Sequence, residues 1–418
     1  MIAAPALPNP RRAYAAVTAA YWAFMLSDGA LRMLVLLHFN MLGFSPLQLA
    51  WLFLLYEIAG IVTNLAAGWL AGRFGLASTL YGGLPLQVAA LVALTQLDPA
   101  WSIAASVAFV MAVQGVSGVA KDLAKMSSKS AVKLLAPKED GGLFRWVAAL
   151  TGSKNAVKGL GFFLGAALLA LAGFQTAVWG MAGVLTVIFA AVILFLPAGL
   201  PGKLKSEEAW GGWRSKDARV NRLSLARMFL FGARDVWFVV GIPVYFQAIL
   251  SDGTADGRRE AFFLIGGFLA LWIIAYGVVQ GFAPSILGGK GQPEAATVRK
   301  AILWAGLLVP IPFALAGAAW IAGTPAPWLS MVLVAGLLLF GFIFAVNSSV
   351  HSYLILAFGD AERITRDVGF YYMANAAGRL LGTLLSGLSY QSGGLPLCLA
   401  TAGAMAAASW IAARRLTH

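Results

Sequence analysis

Cysteine and histidine are scarce in this sequence, and their scarcity excludes several classes of site. The single cysteine, Cys398, rules out an intramolecular disulfide framework and a metal cluster built on cysteine. No two of the three histidines have the spacing of a helical metal-binding pair. The chain also lacks a serine nucleophile elbow and a glycine-rich phosphate loop. We therefore predict no catalytic residue, no metal site and no cofactor, and an enzyme is disfavoured.

Charge is scarce as well, and this indicates a membrane protein. Charged residues make up 11% of the 418 residues and hydrophobic residues 60%, with a mean hydropathy of +0.81. A typical soluble domain carries about 25% charged residues. The first apolar run is long, carries charges and has no clear cleavage site, so we expect it to remain as a membrane helix. The composition predicts an all-α membrane protein that crosses the bilayer many times.

Twelve apolar segments can be marked along the chain. They cover residues 14–38, 46–71, 79–96, 101–132, 146–171, 176–197, 221–249, 260–283, 301–322, 328–357, 368–388 and 396–413. The longest polar break lies between the sixth and seventh segments. We therefore expect 12 transmembrane helices in two six-helix halves with pseudo-two-fold symmetry: an N-terminal half at 1–197, a cytoplasmic linker at 198–220 and a C-terminal half at 221–418.

Short internal repeats support this division. Asn155-Ala156 in the fifth segment recurs as Asn375-Ala376 in the eleventh, and Gly29-Ala30 in the first recurs as Gly232-Ala233 in the seventh. Transporters built from two such halves place their substrate near the midplane, between the halves.

The basic residues of the loops lie almost entirely on one predicted face. Arg258 and Arg259 are the two exceptions. Because lysine and arginine are enriched in cytoplasmic loops, this asymmetry places both termini in the cytoplasm. It also explains most of the net charge of +13 by topology, so we predict no nucleic-acid partner. We expect the bacterial cytoplasmic (inner) membrane, lipid as the surrounding partner, and a monomer.

Four lysines follow one another at intervals of four in the fourth segment, at positions 121, 125, 129 and 133. On a helix this spacing makes a ridge that turns by about 40° at each step, so the four ammonium groups cannot face one small site. We expect Lys129 and Lys133 at the membrane surface. We expect Lys121 and Lys125 to face a water-filled cavity and hold an anion.

Bases also outnumber acids inside the apolar segments. Each charge at a helix centre costs roughly 2.5–3.5 kcal/mol on insertion scales, so these side chains must pair, reach the surface or line an aqueous cavity. Asp28 and Arg32 have the i, i+4 spacing of a helical ion pair. The surplus of bases predicts an anion site.

The stretch from Gly68 to Gly75 resembles the major facilitator signature G-x-L-a-D-r-x-G-r-k. Gly68, Leu70, Arg73 and Gly75 match, whereas Gly72 stands at the position of the usual aspartate. The resemblance implies the major facilitator fold.

Longer stretches resemble one branch of that superfamily, the ArsJ organoarsenical efflux permeases. They are SDGALRMLVLLHF (27–39), KDLAKMSSKSAVKLL (121–135), LTGSKNAVKGLGFFLG (150–165), ARMFLFGARDVWFVV (226–240), FAVNSSVHSYLI (344–355) and DVGFYYMANAAGRLLGTLLSG (367–387). The resemblance implies export of 1-arseno-3-phosphoglycerate, which glyceraldehyde-3-phosphate dehydrogenase makes from arsenate, and that enzyme would be the functional partner.

The candidate site residues follow from this cargo and from the surplus of bases. Lysine binds phosphate as a point charge, and arginine can contact two oxygens at once. The predicted anion-binding bases are Arg32, Lys121, Lys125, Lys154, Lys158, Arg234 and Arg379. The predicted polar substrate contacts are Asn155, Asn375, Tyr371, Tyr372, Asn347 and His351, and the predicted proton carriers are Asp28, Glu57 and Asp235.

Several alternatives remain open at this stage. The two tyrosines also fit interfacial anchors, and the histidine a satisfied core residue. Asp28 also fits a permanent partner of Arg32. An exporter of cationic drugs would show an excess of acids in the membrane, the opposite of this sequence. A major facilitator transporter of another organic phosphate or organic anion is the alternative that residue chemistry alone does not separate from the arsenical exporter.

Overall fold

The computed structural model describes residues 10–135, 142–195, 215, 217–287, 293–358 and 364–417. At 10–14, 67–80, 126–135, 142–152 and 364–366, and at a few single positions, only the backbone is described. The side chains of Lys129 and Lys133 and most of the predicted linker therefore lie outside the described residues, as do the side chains of the signature stretch.

All secondary structure in these ranges is helical. The helices are α1 (Pro10–Met41), α2 (Pro46–Trp51), α3 (Leu54–Leu94), α4 (Ile103–Leu135), α5 (Gly142–Phe195), α6 (Ala218–Val236), α7 (Ile242–Leu250), α8 (Ala255–Ile286), α9 (Glu294–Leu308), α10 (Pro310–Ala322), α11 (Pro327–Phe358) and α12 (Ile364–Arg414). A helix satisfies every backbone hydrogen bond within its own segment, which is what a chain in hydrocarbon requires.

The helices supply the predicted number of apolar segments. Within the described ranges, nine helical stretches are long and apolar enough to cross a membrane, and Tyr81–Leu94 is a shorter apolar one. Two of the nine are broken into two arms, α5 at Gly173 and α12 at Gly393 and Gly394. Gly173 and Gly394 have φ of 74° and 62°, a region that glycine enters without steric cost. Counting both arms of each broken helix gives the twelve segments expected from the sequence.

Two local features differ from the sequence-based expectation. The predicted second and third segments leave a break at 72–78, but residues 67–80 continue the helix α3 without interruption. A five-residue π-helix, Trp237–Gly241, interrupts the seventh segment between α6 and α7. The Ser386 hydroxyl accepts hydrogen bonds from the N–H groups of Val240 and Gly241, both at 3.2 Å, and so satisfies donors at this irregular turn.

Glycines allow two helix pairs to pack backbone against backbone. On α5, a Cβ at Gly161 would meet the carbonyl oxygen of Leu26 on α1, and one at Gly165 would meet that of Ala30. On α12, Cβ atoms at the glycines 378 and 382 would meet the carbonyl oxygens of residues 228 and 232 on α6. The small-xxx-small spacing thus serves close packing in both pairs.

The N-terminal helices, α1 to α5, meet the C-terminal helices, α6 to α12, mainly where α5 packs on α8 and α3 packs on α12. The short helix α2 packs on α12 at the end of the bundle opposite the start of α1. There the backbone N–H of Leu47 donates to Gln391 at 3.2 Å, and Gly387 lies against Pro46 and Ala50. A cavity lies between the two sets of helices on the other side of this contact.

Candidate functional site

The cavity between the two sets of helices is lined by polar and charged side chains. Its volume is about 200 Å³, and α1, α3, α4, α5, α6, α8, α11 and α12 all contribute to its wall. The predicted residues that line it are Arg32, Glu57, Lys121, Lys125, Lys154, Asn155, Lys158, Arg234, Asp235, Tyr372, Asn375 and Arg379. The fold therefore brings together most residues that the sequence singled out.

A chain of ion pairs crosses the centre of this cavity. Glu57 on α3 accepts from Arg32 Nη1 on α1 at 3.1 Å and from Arg379 Nη2 on α12 at 2.6 Å, both through Oε1. Arg379 Nε lies 3.5 Å from Asp235 Oδ2 on α6, and Arg234 Nε donates to Asp235 Oδ1 at 2.6 Å. Glu57 thus contacts bases from both sets of helices.

Three atoms of this chain of ion pairs are buried without a hydrogen-bond partner in the described part of the molecule: Arg32 Nη2, Glu57 Oε2 and Arg379 Nε. Buried polar groups are normally satisfied, because each unsatisfied one costs about 1–3 kcal/mol. The cavity therefore retains capacity for a donor or acceptor that the protein itself does not supply.

Arg32 and Arg234 follow equivalent glycine contacts in the two sets of helices. Gly165 on α5 approaches the carbonyl oxygen of Ala30, and Arg32 follows two residues later on α1. Gly382 on α12 approaches the carbonyl oxygen of residue 232, and Arg234 follows two residues later on α6. The same helix packing therefore delivers a guanidinium to the cavity from either side.

The predicted pair between Asp28 and Arg32 does not form. The Asp28 carboxylate accepts from Lys158 Nζ on α5 at 2.8 Å and from the Tyr56 hydroxyl on α3 at 2.5 Å. Arg32 turns instead to Glu57. The reason is tertiary: α1 packs closely on α5 at Gly29, and this brings Lys158 to Asp28. Asp28 is buried and lies behind the lining.

The first two lysines of the ridge share one carboxylate. Asp122 lies 3.6 Å from Lys121 Nζ and 3.3 Å from Lys125 Nζ, and it also accepts from the Thr63 hydroxyl at 2.8 Å. Lys125 also donates to Asn64 Oδ1 at 2.8 Å. Both lysines line the cavity, as expected from their deeper position in the segment.

Three predicted polar contacts lie elsewhere. Tyr371, Asn347 and His351 have no exposed surface and stand behind the wall of the cavity. On α11 it is Ser352, one residue beyond His351 and therefore about 100° around the helix, that faces the cavity. On α12 the same rotation brings Tyr372 to the cavity in place of Tyr371. These three residues do not line the cavity in this structure, and their direct contact with substrate stays a prediction.

Arg227 on α6 is a lining residue that the sequence-based list omitted. Its Nη1 donates to the carbonyl and hydroxyl oxygens of Ser348 at 2.9 and 3.0 Å, and its Nε donates to Asn375 Oδ1 at 3.1 Å. Gln280 on α8 was also omitted; it accepts from Asn155 at 3.0 Å and donates to the Ser348 hydroxyl at 3.2 Å. Gln280 could have been predicted to face the cavity, because it is a polar residue inside an apolar segment.

The charges around the cavity do not balance among the described residues. Eight bases line it: Arg32, Lys121, Lys125, Lys154, Lys158, Arg227, Arg234 and Arg379. Three carboxylates line it and Asp28 lies directly behind, so bases exceed acids by four. Uncompensated charge away from bulk water is costly, and an anionic ligand offsets that cost. The arrangement suits the binding of a small, multiply charged anion.

Comparison with known proteins identifies the fold. A family model for the Major Facilitator Superfamily matches residues 16–383. No curated protein matches the chain. One similar solved structure comes from work on substrate recognition in proton dependent oligopeptide transporters, with 12% sequence identity, a TM-score of 0.72 and 98% of each chain covered.

Two further solved structures are similar to the chain along almost its whole length. A mutant of the nucleoside transporter NupG has 14% identity and a TM-score of 0.70, with 97% of this chain and 99% of that chain covered. A POT family transporter in complex with a thioalcohol conjugated peptide has 14% identity and a TM-score of 0.72, with 97% of each chain covered. At such low sequence identities, the similarity to these structures shows the fold alone. Because the family model spans most of the sequence, the chain belongs to the major facilitator superfamily, whose members are multi-pass membrane transporters.

Proposed function

We propose that the protein is a secondary active exporter of an anionic organoarsenical, 1-arseno-3-phosphoglycerate, and that it confers resistance to arsenate. The observation that supports an anionic cargo is the surplus of basic over acidic residues around the central cavity. The arsenical identity rests on the sequence resemblance to the ArsJ permeases. Glyceraldehyde-3-phosphate dehydrogenase supplies the cargo in the cytoplasm, and no resident cofactor takes part.

The proposed topology follows the distribution of basic residues. Both termini are cytoplasmic in the bacterial inner membrane, and two six-helix halves are joined by the 198–220 linker. The cavity then has its cytoplasmic end near the starts of α1, α5, α6 and α12, where Lys154 and Arg227 lie. Cargo made in the cytoplasm meets these bases first and the central ion pairs next.

The contact between Glu57 and Arg379, which we call the Glu57–Arg379 latch, is the proposed coupling element. It joins α3 to α12, so rocking of one half against the other requires it to open. The anion opens it by taking the guanidinium of Arg379, and a proton opens it by neutralising the Glu57 carboxylate. The carrier therefore moves outward with the anion and returns with the proton, which is antiport. Asp235 contacts the same guanidinium and takes part in the same exchange.

Transport into everted membrane vesicles tests the proposal. The enzyme, its aldehyde substrate, its nicotinamide cofactor and arsenate are supplied together outside, and arsenic inside the vesicles is measured. We expect accumulation that needs all four components and collapses with an uncoupler. Accumulation from arsenate alone would make the protein an oxyanion exporter. Exchange of a plain phosphate ester without arsenic uptake would favour the transporter of another organic phosphate.

A matched pair of variants links the vesicle result to the cavity. Arg32→Gln removes a guanidinium from the central ion pairs, and Arg219→Gln removes one from the surface of α6, where Arg219 pairs with Asp217 and Glu294. We expect the first variant to lose accumulation and the second to keep it. Equal activity of the two variants would exclude the central bases from transport.

A further inference from the structure

We propose that Arg227 is the centre of a second anion subsite, and that the cavity therefore selects small molecules that carry an anionic group at each end. This inference rests on the proposed function, because it specifies which anions the same cavity takes. The first subsite is the central group of Arg32, Arg234 and Arg379.

The side chain of Arg227 is buried but faces the cavity, with 5% of the residue exposed. Its described hydrogen bonds go to neutral oxygens only, two on Ser348 and one on Asn375. Among the described residues, no carboxylate lies within ion-pair distance of it and its Nη2 makes no hydrogen bond. The second guanidinium nitrogen is therefore available to a ligand.

Arg227 differs in this respect from the other guanidiniums of the lining. Arg32 and Arg379 contact Glu57, and Arg234 contacts Asp235. A buried guanidinium with only neutral partners retains much of its desolvation cost. An anionic ligand group that binds Nη2 offsets that cost. The other three guanidiniums must release a protein carboxylate before they can bind the ligand fully.

The spacing of the two subsites sets the length of the ligand. Arg227 and Arg234 are seven residues apart on α6, which is about 10 Å along the axis and nearly the same face. The Phe231 ring lies beside both, with its centroid 4.1 Å from Arg227 Cζ and 4.9 Å from Arg234 Cζ. The two guanidinium carbons are therefore at most about 9 Å apart.

A three-carbon skeleton with an acid ester at each end matches this distance. Three consecutive single bonds advance about 3.8 Å, so the six bonds between the two acid centres span roughly 7–8 Å at full extension. Each acid group can then contact one guanidinium while the short carbon chain passes over the Phe231 ring. A ligand with one acid group fills one subsite and leaves the other guanidinium unpaired.

Calorimetric binding to the purified full-length protein tests this with two matched probes. Propane-1,3-diyl bisphosphate carries phosphate at both ends, and 3-hydroxypropyl phosphate carries it at one. We expect the unaltered protein to bind the bisphosphate at least about tenfold more tightly, as expected for an added charge-assisted contact. Binding of neither probe would refute the proposed anion transport itself, and binding of both with equal affinity would refute only the second subsite.

The variant Arg227→Gln separates a ligand contact from a structural role. We expect it to keep its affinity for the monophosphate and to lose the preference for the bisphosphate, while Arg219→Gln on the same helix keeps both. An equal loss for the two probes would make Arg227 a structural residue and overturn the inference. If Arg227→Gln does not fold, Arg227→Lys is measured instead; it must lower the preference, because one ammonium group cannot hold Ser348, Asn375 and the ligand together. An unchanged preference in that variant would also overturn the inference.

Discussion

Arg379 on α12 donates to Glu57 on α3 at 2.6 Å, and this contact joins the N-terminal and C-terminal helices at the centre of a basic cavity. The same Glu57 oxygen also accepts from Arg32, and the same arginine also reaches Asp235. Two carboxylates and three guanidiniums thus share one set of contacts. A ligand anion that enters this group competes with an internal carboxylate, and this competition is the basis of the first two predictions.

The variant Glu57→Gln should separate exchange from energy coupling. Without the carboxylate the latch is open in every state, so the carrier can move empty. We expect exchange of labelled for unlabelled phosphate ester across vesicles to persist. Uphill accumulation should fall by at least about tenfold, since each charge moved through 100 mV supplies about 2.3 kcal/mol. Glu260→Gln, on the exposed surface of α8, is the matched control. Uphill accumulation at the level of the control would remove Glu57 from the coupling.

The variant Arg379→Lys should fail in transport although it keeps the positive charge. Arg379 uses Nη2 for Glu57 and Nε for Asp235, and a single ammonium nitrogen cannot reproduce this two-point contact. We expect a reduced transport rate with a near-normal melting temperature. Arg379→Gln should in addition lose about 3–5 kcal/mol of stability, because it leaves buried carboxylates without their partner. Thermal unfolding and vesicle uptake of both variants, with Arg219→Lys as control, check this. Full transport by Arg379→Lys would contradict it.

Much of the fold and part of the site follow from local sequence. Long apolar runs predict helices wherever a membrane forbids unpaired backbone groups, and the described helices carry the expected twelve apolar arms. Bases inside such runs cannot face lipid, so seven predicted bases, Arg32, Lys121, Lys125, Lys154, Lys158, Arg234 and Arg379, line the cavity. These features are predictable because exposing an unpaired backbone group or a charged side chain to lipid costs several kcal/mol at each residue.

The pairing of charges was not predictable in the same way. The i, i+4 spacing predicted an ion pair between Asp28 and Arg32. In the structure α1 crosses α5 at Gly29, and Asp28 forms its ion pair with Lys158. Arg227 lies close to the beginning of its apolar segment, where a base commonly reaches the membrane surface. In the structure α6 begins nine residues earlier, at Ala218, and its packing on α12 buries the Arg227 side chain. Such choices depend on where two helices cross, and that information is absent from the spacing within one helix.

The variant Asp28→Asn should affect stability more than coupling. Both partners of this carboxylate, Lys158 and Tyr56, belong to the N-terminal helices, so rocking between the halves does not require their contacts to break. We expect a loss of about 3–5 kcal/mol in unfolding free energy, because the substitution leaves Lys158 without its counter-charge. The number of protons moved per substrate should stay the same. Measurement of proton and substrate flux in the same vesicles decides this, and a changed ratio would place Asp28 in the proton relay.

The glycine contacts between α1 and α5 provide a test of the packing that positions the cavity. In Gly161→Ala the new methyl group would meet the Leu26 carbonyl oxygen and the backbone of residues 29 and 30, and rigid backbone cannot move away as a flexible side chain can. We expect a loss of about 1–3 kcal/mol, the range for overpacked interiors. Gly180→Ala lies on the same helix, and no atom of the described residues lies within 4 Å of the added one. It should be stabilised by about 0.5–1 kcal/mol, because alanine favours a helix more than glycine does. Thermal unfolding in detergent compares the two, and a shift of the same sign in both would mean that α1 and α5 do not pack as closely as described.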